Sequence, residues 1–126
     1  MKLPPYADLL GLTVAGFEDG APLLSMPWGP GVMGRPGFLH GGAIGGLLEM
    51  AAVTALYARF DDAQRPRLKP ITVTVDYTRG GREAETFALG KVARLGNRVA
   101  NLEAVAWQDD RAKPIAVARM NVLLAR

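Results

Sequence analysis

Apolar and polar positions along the chain fall into three regimes. Early on, short apolar runs flank Asp19-Gly20, which predicts strands over residues 12–18 and 23–28 joined by a hairpin turn. Between Gly41 and Ala58 the only formal charge is Glu49, and apolar side chains run right round the helical projection rather than along one stripe. Such a helix must be enclosed on most sides. Beyond Lys69 the period shortens to two. Ile71, Val73, Val75 and Tyr77 alternate with Thr72, Thr74, Asp76 and Thr78, the pattern of a half-buried strand. Gly80-Gly81 interrupt it, and further strands are predicted over residues 83–95, 98–108 and 114–124, with turns at Gly96-Asn97 and residues 109–113.

The remaining segments complete the order. Pro4 and Pro5 ahead of YADLL predict a short opening helix that Gly11 ends. Residues 29–37 hold four glycines and two prolines, so they form an irregular loop that delivers the chain to His40. Residues 61–69, containing Pro66, are a polar connection. The expected class is α+β, a five- or six-stranded antiparallel sheet wrapped round one long central helix, with a short N-terminal helix. The one long helix is the only cover available for a face of that sheet. Ala100, Leu102, Ala104 and Ala106 share one strand face, and with Gly45 and Gly46 on the helix they predict a close helix–sheet approach. No repeat or linker divides residues 1–126, which read as a single domain.

Composition narrows the chemistry. The chain has no cysteine, which excludes a disulfide scaffold, a thiolate nucleophile and thiolate metal sites, and it fits a reducing cytoplasm. Fifteen Lys and Arg against twelve Asp and Glu give +3, without a basic run or interleaved aromatics. A nucleic-acid partner is therefore not expected, whereas an anionic small molecule suits the balance. MKLPPYADLLGL lacks the apolar core and cleavage site of a signal peptide. The central helix carries four glycines and Glu49, so it is expected in the core and not in a membrane.

Elimination leaves carboxylate chemistry assisted by backbone donors. Ser25 is the only serine and no GxSxG surrounds it, while one histidine and no cysteine leave almost nothing for zinc. Neither metal nor cofactor is expected. His40-Gly41-Gly42 opens the central helix, where the first N–H groups lack internal partners and carry the positive end of the dipole. A thioester carbonyl against the Gly41 N–H would be polarised and its oxyanion stabilised. Glu49 would act as general base toward water or attack the carbonyl itself. Eight residues of helix span roughly 12 Å, so Gly41 and Glu49 of one chain cannot grip the same carbonyl. A second, antiparallel copy of the helix would bring them together, which calls for at least a dimer with two equivalent sites.

His40-Gly41-Gly42 with an acid nine positions after the histidine, VTVDYTRGG after the helix, and the meander RLGNRVANLEAVAW together resemble the hotdog-fold acyl-CoA thioesterases. The closest likeness is to the phenylacetic-acid-degradation type, over roughly residues 28–125. The resemblance implies a helix wrapped by five or six antiparallel strands, an active site between two subunits of a dimer or dimer of dimers, and an acyl-CoA substrate. It implies Gly41 as oxyanion donor, Glu49 as base or nucleophile, and His40 as the motif histidine that orients the helix start. Gly42 is implied as a substrate contact, and Arg94, Gly96, Asn97 and Arg98 as contacts to CoA phosphates, with Arg79 a further candidate. Trp28, Met33 and Phe38 are candidates for an acyl tunnel, while Asp76 has no assigned site. The chain departs from the family at Gly34, where an Asn or Gln amide is usual. That departure keeps open a second reading, a hotdog protein that binds acyl-CoA or another small ligand without cleaving it.

Overall fold

In the computed structural model, which describes residues 2–125, the chain opens with a short helix, α1 (Pro5–Leu9), ended by Gly11 at φ +69°. A hairpin follows, β1 (Thr13–Glu18) and β2 (Ala21–Met26). Asp19 at φ 51° and Gly20 at φ 80° form its turn, both left-handed as a two-residue hairpin of that twist requires. After an irregular loop comes the long helix α2 (Gly41–Tyr57), then β3 (Arg67–Tyr77), β4 (Thr86–Leu95), β5 (Val99–Trp107) and β6 (Ala116–Ala125). Six strands pair antiparallel in the order β1-β2-β4-β5-β6-β3, the expected class with its larger strand count.

Strand ends move from their predicted positions for local reasons. β3 begins at Arg67 rather than 71 because Arg67 to Pro70 find partners on β6; Pro70 is tolerated because β3 is an edge strand. β4 begins at Thr86 rather than 83. The preceding loop is held by Gln108, whose side chain accepts from the Arg82 N–H (2.9 Å) and donates to the Arg82 carbonyl and Thr86 Oγ1 (both 3.0 Å).

α2 lies across the sheet, chiefly against β4, β5 and β2. The strand face beneath it is built from small residues. Ala88, Ala100, Ala104, Ala106, Ala116 and Ala118 are all buried, interleaved with Leu102, Met120 and Val122. Above them Leu47, Leu48 and Leu56 are fully buried, each such leucine contributing about 1.5–3 kcal/mol of transfer free energy. The closest approach is at Gly90 on β4, where a Cβ would stand 2.1 Å from the Ala51 carbonyl oxygen and 2.6 Å from its carbon. Gly45 and Gly46, predicted to make this approach, face elsewhere. A Cβ at Gly46 would meet Tyr6 of α1 at 2.9 Å, and one at Gly45 would meet the Tyr77 hydroxyl at 3.5 Å.

β3 also departs from expectation. The alternation predicted a half-buried strand, yet Ile71 is 57% exposed, Val73 38% and Tyr77 55%, with only Val75 half-buried. β3 pairs with β6 alone and lies beyond the width of the helix, and the ladder is irregular between Pro70 and Thr72. The result is a long edge strand with apolar side chains and unpaired backbone groups, the kind of edge that recruits another strand.

The Gly90 contact is directly testable. Gly90→Ala drives a methyl group into the α2 backbone and is expected to destabilise the fold by about 3 kcal/mol or more, read by urea denaturation. A change below about 0.5 kcal/mol would show that the helix can lift away.

Candidate functional site

The loop before α2 is built to place His40. Pro30–Val32 form a short 3-10 turn, the His40 N–H donates to the Val32 carbonyl (2.9 Å), and the Leu39 N–H donates to the Gly81 carbonyl (2.9 Å). His40 is then the N-cap. Its extended backbone (φ −68°, ψ 133°) turns the chain into the helix, and its Nδ1 accepts the Gly42 N–H at 2.8 Å. Histidine thus satisfies one orphan donor of the first turn, and the neutral ring carries its proton on Nε2. Gly42 is required here, since a Cβ would lie 2.9 Å from that ring. Among the described residues no acceptor takes the Gly41 N–H. The Gly41 carbonyl, by contrast, accepts the Tyr77 hydroxyl at 2.8 Å.

Further along α2, Gly42, Gly45, Gly46 and Glu49 recur at helical spacing on the one face of the helix that the chain leaves uncovered. They floor an open groove of about 460 Å³ with Tyr6 on one wall and Val73 and Val75 of β3 on the other. Glu49 is half-buried there, without an ion pair among the described residues. Gly41, His40, Gly42 and Glu49 are therefore brought onto one helix beside one exposed strand edge. The separation of Gly41 from Glu49 along α2 remains.

The helix start is flanked by two unlike hollows. On the α1 side, about 440 Å³ is lined by Tyr6, Leu9, Met33, His40 and Gly42 among others, mostly apolar. On the opposite side, about 420 Å³ is lined by Gly41, Tyr77, Arg35, Phe38, Arg79 and Gly80 among others. Met33 and Phe38, grouped as tunnel candidates in the sequence, thus lie in different hollows. Trp28, the third, packs half-buried against the core.

Arg94, Gly96, Asn97 and Arg98 are not brought to Gly41 within the chain. They occupy the end of β4 and the β4–β5 turn, where the Gly96 N–H donates to the Val99 carbonyl (3.0 Å) and the Arg98 carbonyl accepts from Leu124 (2.7 Å). That turn is level with Lys69, through Val99 and Leu123, while Tyr77 marks the Gly41 end of β3. The stretch of β3 between them covers roughly 26 Å. Asp76 lies on the outer sheet face with Lys91, Glu103 and Arg119, away from α2.

Two residues of the site escaped the sequence reading. Tyr77 appeared only as an alternating strand residue, and its bond to Gly41 spans 36 positions, which no local pattern reports. Tyr6 appeared only as part of α1. The Gly34 departure now has a physical reason. A Cβ there would sit 2.9 Å from the His40 Cα and 3.2 Å from its nitrogen, so the loop that positions His40 closes over a glycine. Among the described residues no group of three or more His, Cys, Asp or Glu gathers to hold a metal ion.

The chain belongs to the acyl-CoA thioesterase family, whose N-terminal-domain model matches residues 29–124. A Pseudomonas aeruginosa protein named as an esterase, PA1618, is 30% identical over 115 residues, 91% of this chain and 78% of that protein. A solved structure from Chromobacterium violaceum is 38% identical with a TM-score of 0.74, covering 97% of this chain and 84% of that one. A Bacillus halodurans protein solved with CoA shares the fold at a TM-score of 0.83 and 20% identity, over 96% of this chain and 78% of its own. The six antiparallel strands and central helix are the hotdog fold of thioesterases, and family and relatives point to a hydrolase role. No helix among the described residues is long and apolar enough to cross a membrane.

The His40 cap makes a prediction independent of any substrate. His40→Ala removes the acceptor for the Gly42 N–H and should cost about 0.5–2 kcal/mol in urea denaturation, whereas His40→Asn, a good N-cap, should recover most of it. Equal stability of the wild type and His40→Ala would remove the cap from the account.

Proposed function

We propose that this protein hydrolyses an acyl- or aryl-CoA thioester to the free acid and CoA, at two equivalent sites formed where two copies of α2 pack antiparallel. The observation that carries the reading is the uncovered face Gly42-Gly45-Gly46-Glu49, lying open beside the exposed apolar edge of β3. In a twofold interface residue i of one copy meets j of the other and j meets i. A twofold axis level with Gly45, midway between Gly41 and Glu49, sets each Gly41 against the opposite Glu49. Glycine at that pivot allows the two helices to approach closely. Antiparallel pairing of the two β3 edges is compatible with the same axis. It would carry residues 94–98 of the second subunit toward the Gly41 end of the first, where they would serve as CoA contacts.

The chemistry follows from the groups present. The Gly41 N–H donates to the thioester carbonyl oxygen and more strongly to the oxyanion that replaces it, a gain realised as the tetrahedral intermediate forms. Tyr77 holds the neighbouring Gly41–Gly42 peptide by its carbonyl. As general base, Glu49 of the facing subunit takes a proton from water as its oxygen bonds to the carbonyl carbon. The carbon–sulfur bond then breaks, and the proton passes to the thiolate. As nucleophile, Glu49 would instead form an anhydride that water opens. The protein would be cytoplasmic, with no cofactor beyond the CoA of its substrate.

Binding without cleavage is the alternative, favoured by one observation: the loop at Gly34 has no room for the amide usual in the family. Free-thiol release from a panel of acyl-CoA esters separates the two. The thioesterase reading expects cleavage of at least one ester and a fall of about two to four orders of magnitude in kcat/KM for Glu49→Ala. No cleavage of any ester, at protein concentrations far above trace contamination, would leave the binding reading. Equal rates in wild type and Glu49→Ala would remove Glu49 from the mechanism.

A further inference from the structure

We propose that Tyr6 is the water-holding residue of the site, its phenol oxygen steering the attacking water that Glu49 of the same subunit deprotonates. The inference rests on the thioesterase reading in its general-base form, and on the groove of a single subunit for the residue itself.

The groove beside β3 offers a water little to bond to. Of the residues that line it, Gly42, Gly45, Gly46, Val73 and Val75 carry no polar side-chain atom, which leaves Glu49 and Tyr6. A water activated by a carboxylate donates one O–H to it and keeps a second. That second O–H needs an acceptor of its own once a facing subunit covers the groove. A phenol oxygen accepts hydrogen bonds without carrying a charge, so it can take that bond and leave the carboxylate as the only base. Among the described residues the Tyr6 hydroxyl has no hydrogen-bond partner, whereas the Tyr77 hydroxyl donates to the Gly41 carbonyl.

Tyr6 also turns its hydroxyl end toward the helix. The residue is 43% exposed, yet a Cβ at Gly46 would stand 2.9 Å from its Cε2 and 3.1 Å from its Oη. Leu10 reaches the same point at 3.1 Å, so α1 docks on Gly46 through two side chains. Glycine is what admits them, because any side chain there would push α1 away. Ala7, fully buried, anchors the short helix from its other side, and its carbonyl accepts the Leu12 N–H at 2.9 Å. The phenol is therefore held from behind while its oxygen stays free.

Glu49 follows Gly46 by one turn of α2. Helical side chains lean toward the N-terminus, so Glu49 leans back over the position where the phenol oxygen rests. Residues three apart carry Cβ positions about 5–6 Å from each other. Two oxygens that share one water stand about 5.5 Å apart, so a single water fits between phenol and carboxylate. In the paired subunits the facing Gly41 N–H would be level with Glu49, which puts the thioester carbonyl beside that water. With one O–H on Glu49 and the other on Tyr6, the water turns a lone pair to the carbonyl carbon. As the C–O bond forms, the proton passes to Glu49 and the carbonyl π pair moves onto the oxygen at Gly41. Collapse expels the thiolate, which takes the proton from Glu49. Tyr6 neither gains nor loses a proton, and its contribution is orientation.

Thiol release by Tyr6→Phe, which keeps the ring and deletes the hydroxyl, tests the assignment. The variant should keep the urea midpoint and KM of wild type while kcat falls by about ten- to a hundredfold. Tyr6→Leu, which removes the ring as well, should lose at least as much kcat. Wild-type kcat in Tyr6→Phe with a loss in Tyr6→Leu would assign the residue to packing and overturn the inference, with the proposed activity left standing. A change confined to KM would make Tyr6 a substrate contact and overturn it too. So would a kcat loss matched by a midpoint as low as that of Tyr6→Leu, the mark of a purely structural role. No cleavage of any ester by wild type would instead remove the thioesterase reading, and this inference with it.

Discussion

A helix that is apolar on nearly every side needs cover on every side, and this chain has one sheet to offer. The rest of the structure follows from how far that sheet reaches. Alanines on the inner faces of β4, β5 and β6, with Gly90 at the closest point, let α2 sink until backbone nearly meets backbone. That contact buries Leu47, Leu48 and Leu56 fully. It also centres the helix over β2, β4 and β5, so that β3 lies beyond its shadow. Close packing on one flank thus creates exposure on the other. The uncovered helix face and the uncovered strand edge adjoin, and Glu49 lies between them.

The helix start shows how few side chains are needed to prepare a backbone donor. His40 turns the chain and takes the second N–H, Tyr77 takes the first carbonyl, and glycine at position 42 lets the His40 ring in. What is left over is the Gly41 N–H, at the positive end of the helix dipole and between an apolar and a cationic hollow. In the proposed reaction such a donor would act by preorganisation, because a group already aimed at a developing oxyanion costs no reorganisation. The loop that aims it closes over Gly34, so accuracy at His40 and an amide at position 34 compete for the same space.

Much of this was legible in the chain because it depends on local rules. Asp19-Gly20 specified a hairpin turn, Gly11 a helix stop, and Ala100 to Ala106 one face of a strand, and each appears in its expected place. The unusual carboxylate and the glycine-lined helix start also marked one helix as the candidate site. Non-local geometry was hidden. Nothing around Gly90 distinguishes it from a flexible strand residue, because its reason is the backbone of α2. The alternation in β3 correctly gave a strand and misjudged its burial, since Val73 and Tyr77 are apolar toward a surface that one chain does not supply. Tyr6 and Gly46 stand forty positions apart in sequence, and only folding brings them together.

The central claim is that the donor and the carboxylate act across two subunits, and mixed dimers test it most directly. Gly41→Pro deletes the N–H at a position where the helix tolerates proline, and the extended backbone of His40 suits the residue before it. Glu49→Ala deletes the carboxylate. Each variant alone should be nearly inactive. After the two are dissociated together and allowed to reassociate in equal amounts, half of the dimers are mixed and each mixed dimer holds one intact site. Activity should therefore return to about a quarter of wild type. A mixture no more active than its parents, with mixed dimers demonstrably present, would contradict a site shared between two copies of α2.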